Sequence, residues 1–206
     1  MKRPKQTEGI DDRILSMIRT NQRGRVVSAR DFADAGQYAA VRQALSRLAK
    51  AGRLRRVHRG YYDLPRAHPV LGQTAPDPMA LVRSLMTGSS AQWQVSGAYA
   101  ANLLGLSEQV PAKIVILTDG VPRQVQLDKL TLIFRRAAPR NLLAAGRPAG
   151  LVIQALRHLR ANGLASAALA RLRERMDAPT RREMVRLLPQ LPAWMQPIVR
   201  ELARPP

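Results

Sequence analysis

The stretch Gln37–Ala51 constrains the fold of this chain more than any other. At 3.6 residues per turn, Val41, Ala44, Leu45 and Leu48 fall on one stripe, and Arg42, Gln43, Ser46, Arg47 and Lys50 fall on the opposite one. A helix so patterned must bury its apolar side, while its free side carries long donors and no acid. Taken by itself, it reads equally well as a solvated amphipathic helix with a basic bias. The flanking residues shift that balance. Asp11 and Asp12 stand where a first helix begins, favourably placed at the positive end of its dipole. Ile10, Ile14, Met17 and Ile18 recur at helical spacing and predict a short core-facing helix over residues 11–20. Arg23–Val27 breaks that period and reads as a small strand. Ser28, with Asp31 three residues on, resembles a capping box that opens a second helix through Phe32 to Ala35, stopped by Gly36. The third helix ends at Gly52. Beyond it, Arg53–Val57 and Tyr61–Leu64 flank a hairpin turn at His58-Arg59-Gly60. Alternation in the first of these strands is imperfect, so its inward face is left open. Helix, helix, helix and hairpin over residues 11–63 form the layout of a winged helix-turn-helix, and that layout makes DNA the expected partner.

Charge agrees with a polyanionic partner. The 206 residues carry 34 Lys plus Arg against 14 Asp plus Glu, a formal net charge of +20. Of the basic residues 29 are Arg, which suits bidentate contacts to phosphate and guanine. A GC-rich codon bias explains the same excess, and the many Ala, Leu and Gly residues point that way too. Residues 1–70 hold 16 basic and 6 acidic groups, so the N-terminal part is the denser in charge. Cysteine is absent, which excludes a disulfide framework and thiolate chemistry. The basic start, Met1 to Gln6, is followed by no apolar run and does not read as a signal peptide. It reads as an extra phosphate-binding arm. No stretch is long and apolar enough to span a membrane. A bacterial cytoplasmic protein is the expectation.

A winged-helix domain is assigned to residues 1–66, a Pro-rich linker to 67–78, and a mixed C-terminal domain to 79–206. Pro65 to Pro78 runs PRAHPVLGQTAPDP, with no helical or strand period. The second domain opens with an apolar helix through Met79, Leu81, Val82, Leu85 and Met86, ended by Gly88. A strand follows at 91–95, then a small-residue helix at 98–104. Lys113–Thr118 is a buried-strand candidate, and Arg123–Leu127 with Leu130–Arg136 reads as a hairpin. Helices are expected near 148–161, 164–176, 179–188 and 192–203. The fold class is α+β: a winged helix-turn-helix, then a mixed domain with a small sheet and a helical tail.

Four stretches carry a resemblance to a known family. They are VRQALSRLAKAGRLRRVHRGYYDLP (41–65), HPVLGQ (68–73), VSGAYAANLLGLSEQVPAKIVILTDG (95–120) and the hairpin after it. Over roughly residues 10–140 the chain resembles the AbiEi-type antitoxins, with the Gly105–Lys113 block the most specific part. The resemblance implies a winged-helix N-terminal domain, a C-terminal antitoxin domain, and repression of the protein's own operon through inverted repeats. It also implies a neighbouring nucleotidyltransferase-like toxin, opposed without a stable complex. By the geometry of the motif and by this resemblance, Gln37, Arg42, Gln43 and Arg47 are the candidates at base edges, Arg to guanine and Gln to adenine. Ser46 and Lys50 are assigned to phosphates. Arg55, Arg56 and Arg59 on the wing would grip an adjacent backbone or minor groove, with His58 beside them. Inverted repeats could be filled by two monomers or by one dimer.

Other functional classes leave fewer marks in the sequence. Gly88-Ser89-Ser90 is similar to the Gly-Ser of nucleotidyltransferases, but no acidic pair follows it, and Asp119 and Asp128 stand alone. Ser96, Ser107, His58, His68 and His158 show no triad-like setting, and no cluster has metal-ligand spacing. The expectation is a protein that is not an enzyme, with no metal and no cofactor. A regulator without a toxin partner would carry the same winged helix. An RNA-binding protein would be as basic, but would offer more exposed aromatics for stacking. Arg135, Arg136, Arg140 and Arg147 are candidates for a second basic surface that lengthens a DNA footprint. The Arg171/Arg173/Arg175 and Arg181/Arg182/Arg186 groups read first as solvated helix faces.

Overall fold

The computed structural model describes residues 9–21, 24–65, 67–69, 72–161 and 165–204. The basic N-terminal segment and Arg23 lie outside the described residues. The fold is α+β, and the chain divides into two compact units, Met1–Ser89 and Ser90–Pro206.

In the first unit α1 (Ile10–Asn21) opens with Asp11 and Asp12 in its first turn, where the helix dipole favours acids. The capping box of Ser28 and Asp31 is formed: the Ser28 backbone N–H donates to Asp31 Oδ2 at 2.7 Å. It opens a 3-10 helix, Ala29–Ala35, rather than the expected α-helix. The segment is kinked at Phe32, whose ring is fully buried; anchoring that ring takes precedence over regular α geometry in so short a piece. Then α2 (Tyr38–Lys50) follows, with Gln37 as its N-cap and Val41, Ala44, Leu45 and Leu48 buried.

The hairpin pairs β1 (Arg55–His58) with β2 (Tyr61–Asp63). Register shifts between Arg56 and His58, a bulge that accounts for the imperfect alternation of this strand. The strand expected over 23–27 is reduced to an isolated bridge, in which Val27 and Tyr62 exchange backbone hydrogen bonds at 2.7 and 2.8 Å. Ile14, Ile18, Phe32, Val41, Leu45, Leu48, Leu54 and Tyr62 form one core. Each fully buried aliphatic side chain there contributes about 2 kcal/mol.

Two expectations for the following segment are corrected. The Pro-rich stretch is not structureless: β3 (Ala67–His68) pairs antiparallel with β4 (Gly72–Gln73). The helix α3 (Pro78–Met86) belongs to the first compact unit, not the second. It is capped by Asp77, whose Oδ1 accepts from the Met79 N–H at 2.8 Å. Ala80, Arg83, Ser84 and Thr87 line a small cavity together with Gly24, Arg25, Val26 and Asp31 of the same unit. Proline richness therefore marked an irregular path rather than a boundary.

The second unit is built on four strands: β5 (Trp93–Val95), β6 (Lys113–Thr118), β7 (Arg123–Leu127) and β8 (Leu130–Arg136), in the order β5-β6-β8-β7. β6 and β8 run parallel and pair Ile114 with Leu132 and Ile116 with Phe134, all buried. β7 is antiparallel to β8 and lies at the edge. The short α4 (Gly97–Leu103) contacts α5 (Pro148–Ala161). α5 packs with α6 (Ser166–Arg175), α7 (Ala178–Leu187) and α8 (Gln196–Leu202) around Ile153, Leu156, Leu172, Met184, Met195 and Val199. Gly150 in α5 has a tight role: a Cβ there would lie 2.2 Å from the Ala144 carbonyl oxygen. Among the described residues, no helix is long and apolar enough to cross a membrane.

Candidate nucleic-acid interface

The capping of the 3-10 helix, the burial of α2 and the bridge from Val27 to Tyr62 fix the space between α2 and the hairpin. That space is an open groove of about 650 Å³. Arg42, Gln43 and Ser46 line it from α2, and Arg56 and Arg59 from the hairpin. These are five of the ten residues expected to meet DNA, and the fold brings them to one concavity. Arg42, Gln43, Arg56 and Arg59 are exposed, and Ser46 is half-buried. Among the described residues, no acidic side chain lines the groove.

Other expected residues are placed differently. Arg55 is committed to structure: its Nε donates to Asp63 Oδ1 at 2.9 Å and its Nη2 to Oδ2 at 2.5 Å. Its Nη1 donates to the Thr74 carbonyl at 2.6 Å. In a two-stranded hairpin, alternate residues face opposite sides, so Arg55 and Arg56 cannot both face the groove. Arg47 is exposed but donates from Nη2 to Asp11 Oδ1 at 2.6 Å, an ion pair linking α2 to the start of α1. Gln37, at the N-cap of α2, and Lys50, at its end, are exposed outside the groove lining, and His58 is half-buried with its ring tilted against Tyr61, centroids 6.2 Å apart.

Some groove residues were not anticipated from sequence, notably an arginine and two tyrosines. Arg30, Tyr38 and Tyr61 all line it. Tyr38 is 57% exposed, and the Arg42 guanidinium carbon lies 5.9 Å from its ring centroid. An aromatic among the polar residues of an amphipathic helix was the signal available for Tyr38. Arg30 had no such signal, because its direction depends on the 3-10 geometry.

In the second unit Arg135, Arg136 and Arg140 are exposed at and just after the end of β8. Arg147 is instead paired with Glu183. Arg157, half-buried, donates to Asn141 Oδ1 at 2.7 Å and to the Arg140 carbonyl at 3.1 Å. Burial, and then the charge of Arg140, lowers its pKa. Several arginines of the helical tail are structural pins: Arg175 donates to the Leu104 carbonyl at 2.9 Å and Arg181 to the Arg173 carbonyl at 2.7 Å. Arg160 lies over the Trp194 ring at 4.4 Å. Among the described residues no group of three or more His, Asp or Glu is placed to hold a metal ion.

Fold and site thus define an α+β protein of two compact units, the first carrying a basic, acid-free groove between a helix and a hairpin. The chain belongs to DUF6088, a family of unknown function whose model matches residues 13–183. No curated protein matches the sequence. Among solved structures the chain is similar to the RV2827C protein from Mycobacterium tuberculosis, at 18% identity over 100% of this chain and 80% of that one, with a TM-score of 0.46.

Proposed function

We propose that the first unit is a winged helix-turn-helix that binds double-stranded DNA sequence-specifically, with α2 as the recognition helix and the β1–β2 hairpin as the wing. The observation that carries this reading is the acid-free groove in which Arg30, Arg42, Arg56 and Arg59 converge. A helix with Arg42 and Gln43 on its outer face has the donors that guanine and adenine edges require in the major groove. Arg30, Arg56 and Arg59 suit phosphates on either side. Gln37, Ser46, Lys50 and His58 remain secondary contacts in this reading, Arg47 is available only after releasing Asp11, and Arg55 is withdrawn from the interface. Arg135, Arg136 and Arg140 form the proposed second basic surface, without Arg147.

The biological role we propose is that of a cytoplasmic repressor of its own promoter, bound at inverted repeats, as the antitoxin partner of a nucleotidyltransferase-like toxin. The antitoxin part is supported by the AbiEi resemblance of residues 10–140. The role is non-enzymatic. A regulator with no toxin partner would use the same groove, and the neighbouring gene separates the two.

Titration of the full chain on its own upstream DNA and on a scrambled duplex, at two salt concentrations, tests the reading. The upstream DNA is expected to bind about a thousandfold more tightly than the scramble at physiological salt. Equal and steeply salt-dependent binding to both would reduce the groove to a non-specific polyanion site.

A further inference from the structure

We propose that Tyr38 and Arg42 together read one base step, a 5-methylpyrimidine next to a guanine. The proposal rests on the DNA-binding reading above and adds the chemistry that the groove recognises. Tyr38 is the first residue of α2, the end of a recognition helix that meets base edges, and more than half its surface is exposed. Arg42 stands one turn further along, its guanidinium 5.9 Å from the centre of the tyrosine ring. The two arginines of α2 are held by different means. Arg47 is tied by a carboxylate, which takes one of its Nη2 donors and holds the fork toward Asp11. Arg42 makes no ion pair among the described residues and lies near an aromatic ring, which leaves its fork of donors unspent.

A planar donor fork held this way fits O6 and N7 of guanine. The tyrosine ring beside it offers an apolar surface in the major groove. The apolar group that bases present there is the C5-methyl, carried by thymine and by 5-methylcytosine and absent from cytosine. Bases stack about 3.4 Å apart along a strand. Two side chains with centres 5.9 Å apart can therefore serve neighbouring base pairs at once. Gln43, next along the helix, is left for an adjacent adenine.

The test begins with selection of tight-binding duplexes from a randomised pool by the full-length protein, followed by titrations on the selected site. A thymine-to-uracil exchange removes only the methyl group and leaves every hydrogen-bonding group in place. The selected site is expected to contain a thymine–guanine step. Its uracil version is expected to bind about fourfold more weakly, the size of one buried methyl contact. A 5-methylcytosine in place of that thymine, paired with guanine, is expected to bind more tightly than plain cytosine. With Tyr38→Ala the thymine–uracil difference should shrink below about 1.5-fold, and with Arg42→Ala the preference for guanine at the step should be lost. Equal binding of the thymine and uracil sites, or a methyl effect that persists in Tyr38→Ala, overturns the proposal. A selected site that lacks the step overturns it while leaving sequence-specific DNA binding intact. Failure to enrich any site removes the DNA-binding reading and this proposal with it.

Discussion

Arg55 and Asp63 face each other across the β1–β2 hairpin and are joined by two parallel N–H···O bonds of 2.9 and 2.5 Å. The side chains retain only 25% and 10% of their exposure, and a third donor of Arg55 reaches the Thr74 carbonyl. A bidentate pair in this setting is among the stronger polar contacts a small unit can make. It fastens both strands of the hairpin to the segment that follows them.

Removing one partner strands the other in a poorly hydrated place. Arg55→Ala is expected to destabilise the first unit by about 2 kcal/mol. Arg56→Ala, one residue along and exposed, should change stability by less than about 0.5 kcal/mol. Denaturant unfolding of the two variants measures the contrast, and DNA titration should show the reverse order, with Arg56→Ala the more damaging. Equal stability losses would mean that the hairpin does not depend on this pair.

Asp11 and Arg47 form an exposed pair, so breaking it costs stability little, under about 1 kcal/mol. Its consequence lies in binding. Asp11→Ala frees Arg47 and removes a negative charge beside α2, and is expected to tighten DNA binding severalfold at low salt, with the gain fading as salt rises. Arg47→Ala should weaken binding less than Arg42→Ala, because Arg47 must first leave its carboxylate. Parallel titrations of the three variants decide the order.

Gly150 sits where α5 passes the Ala144 turn, and an added methyl would lie 2.2 Å from a backbone oxygen and 2.8 Å from Gln94 Oε1. Neither neighbour yields readily, since Gln94 is buried and its Oε1 accepts from the Gly146 N–H at 2.9 Å. Gly150→Ala is therefore expected to cost about 2–3 kcal/mol despite the better helix propensity of alanine. A midpoint of unfolding equal to or above that of the wild type would show that the turn can move aside.

Asp177 caps α7, accepting from the Thr180 backbone N–H at 2.9 Å. Hydrogen bonds from Thr180, and then the charges of Arg182 and Arg181, lower its pKa. A carboxyl depressed in the folded state contributes stability that is complete above its ordinary value near 4. The contribution is lost as pH falls from there through the lowered value. Asp177→Asn keeps a capping acceptor and removes the titration, so the stability difference between wild type and variant should narrow as pH falls below about 4. A pH series of unfolding midpoints for both proteins reads this directly.

Much of the fold was legible because it rests on local pattern. The apolar stripe of α2, the capping box at Ser28 and Asp31, the turn at Arg59-Gly60, and the strands Lys113–Thr118 and Leu130–Arg136 are all written in residues close together along the chain. Their burial repays the ordering of only a few neighbouring residues, so periodicity and capping chemistry suffice to place them. Membership of the α+β class follows from the same elements. So does the strong net positive charge, which depends on no structure at all.

What the tertiary structure decided is which charges remain available. From sequence, Arg42 and Arg47 were expected at base edges and Arg55 and Arg56 on the wing, all four at the interface. Packing separated them: Asp63 and Thr74 claim Arg55, Asp11 claims Arg47 from 36 positions away, and Arg42 is left beside Tyr38. Arg30 gains its place in the groove only through the kinked 3-10 helix, and Arg147 leaves the second basic set because Glu183 folds against it. A guanidinium can serve a carboxylate, a carbonyl, an aromatic ring or a phosphate with the same donors. The choice is made by whichever partner the fold brings within reach, and that information is long-range by nature.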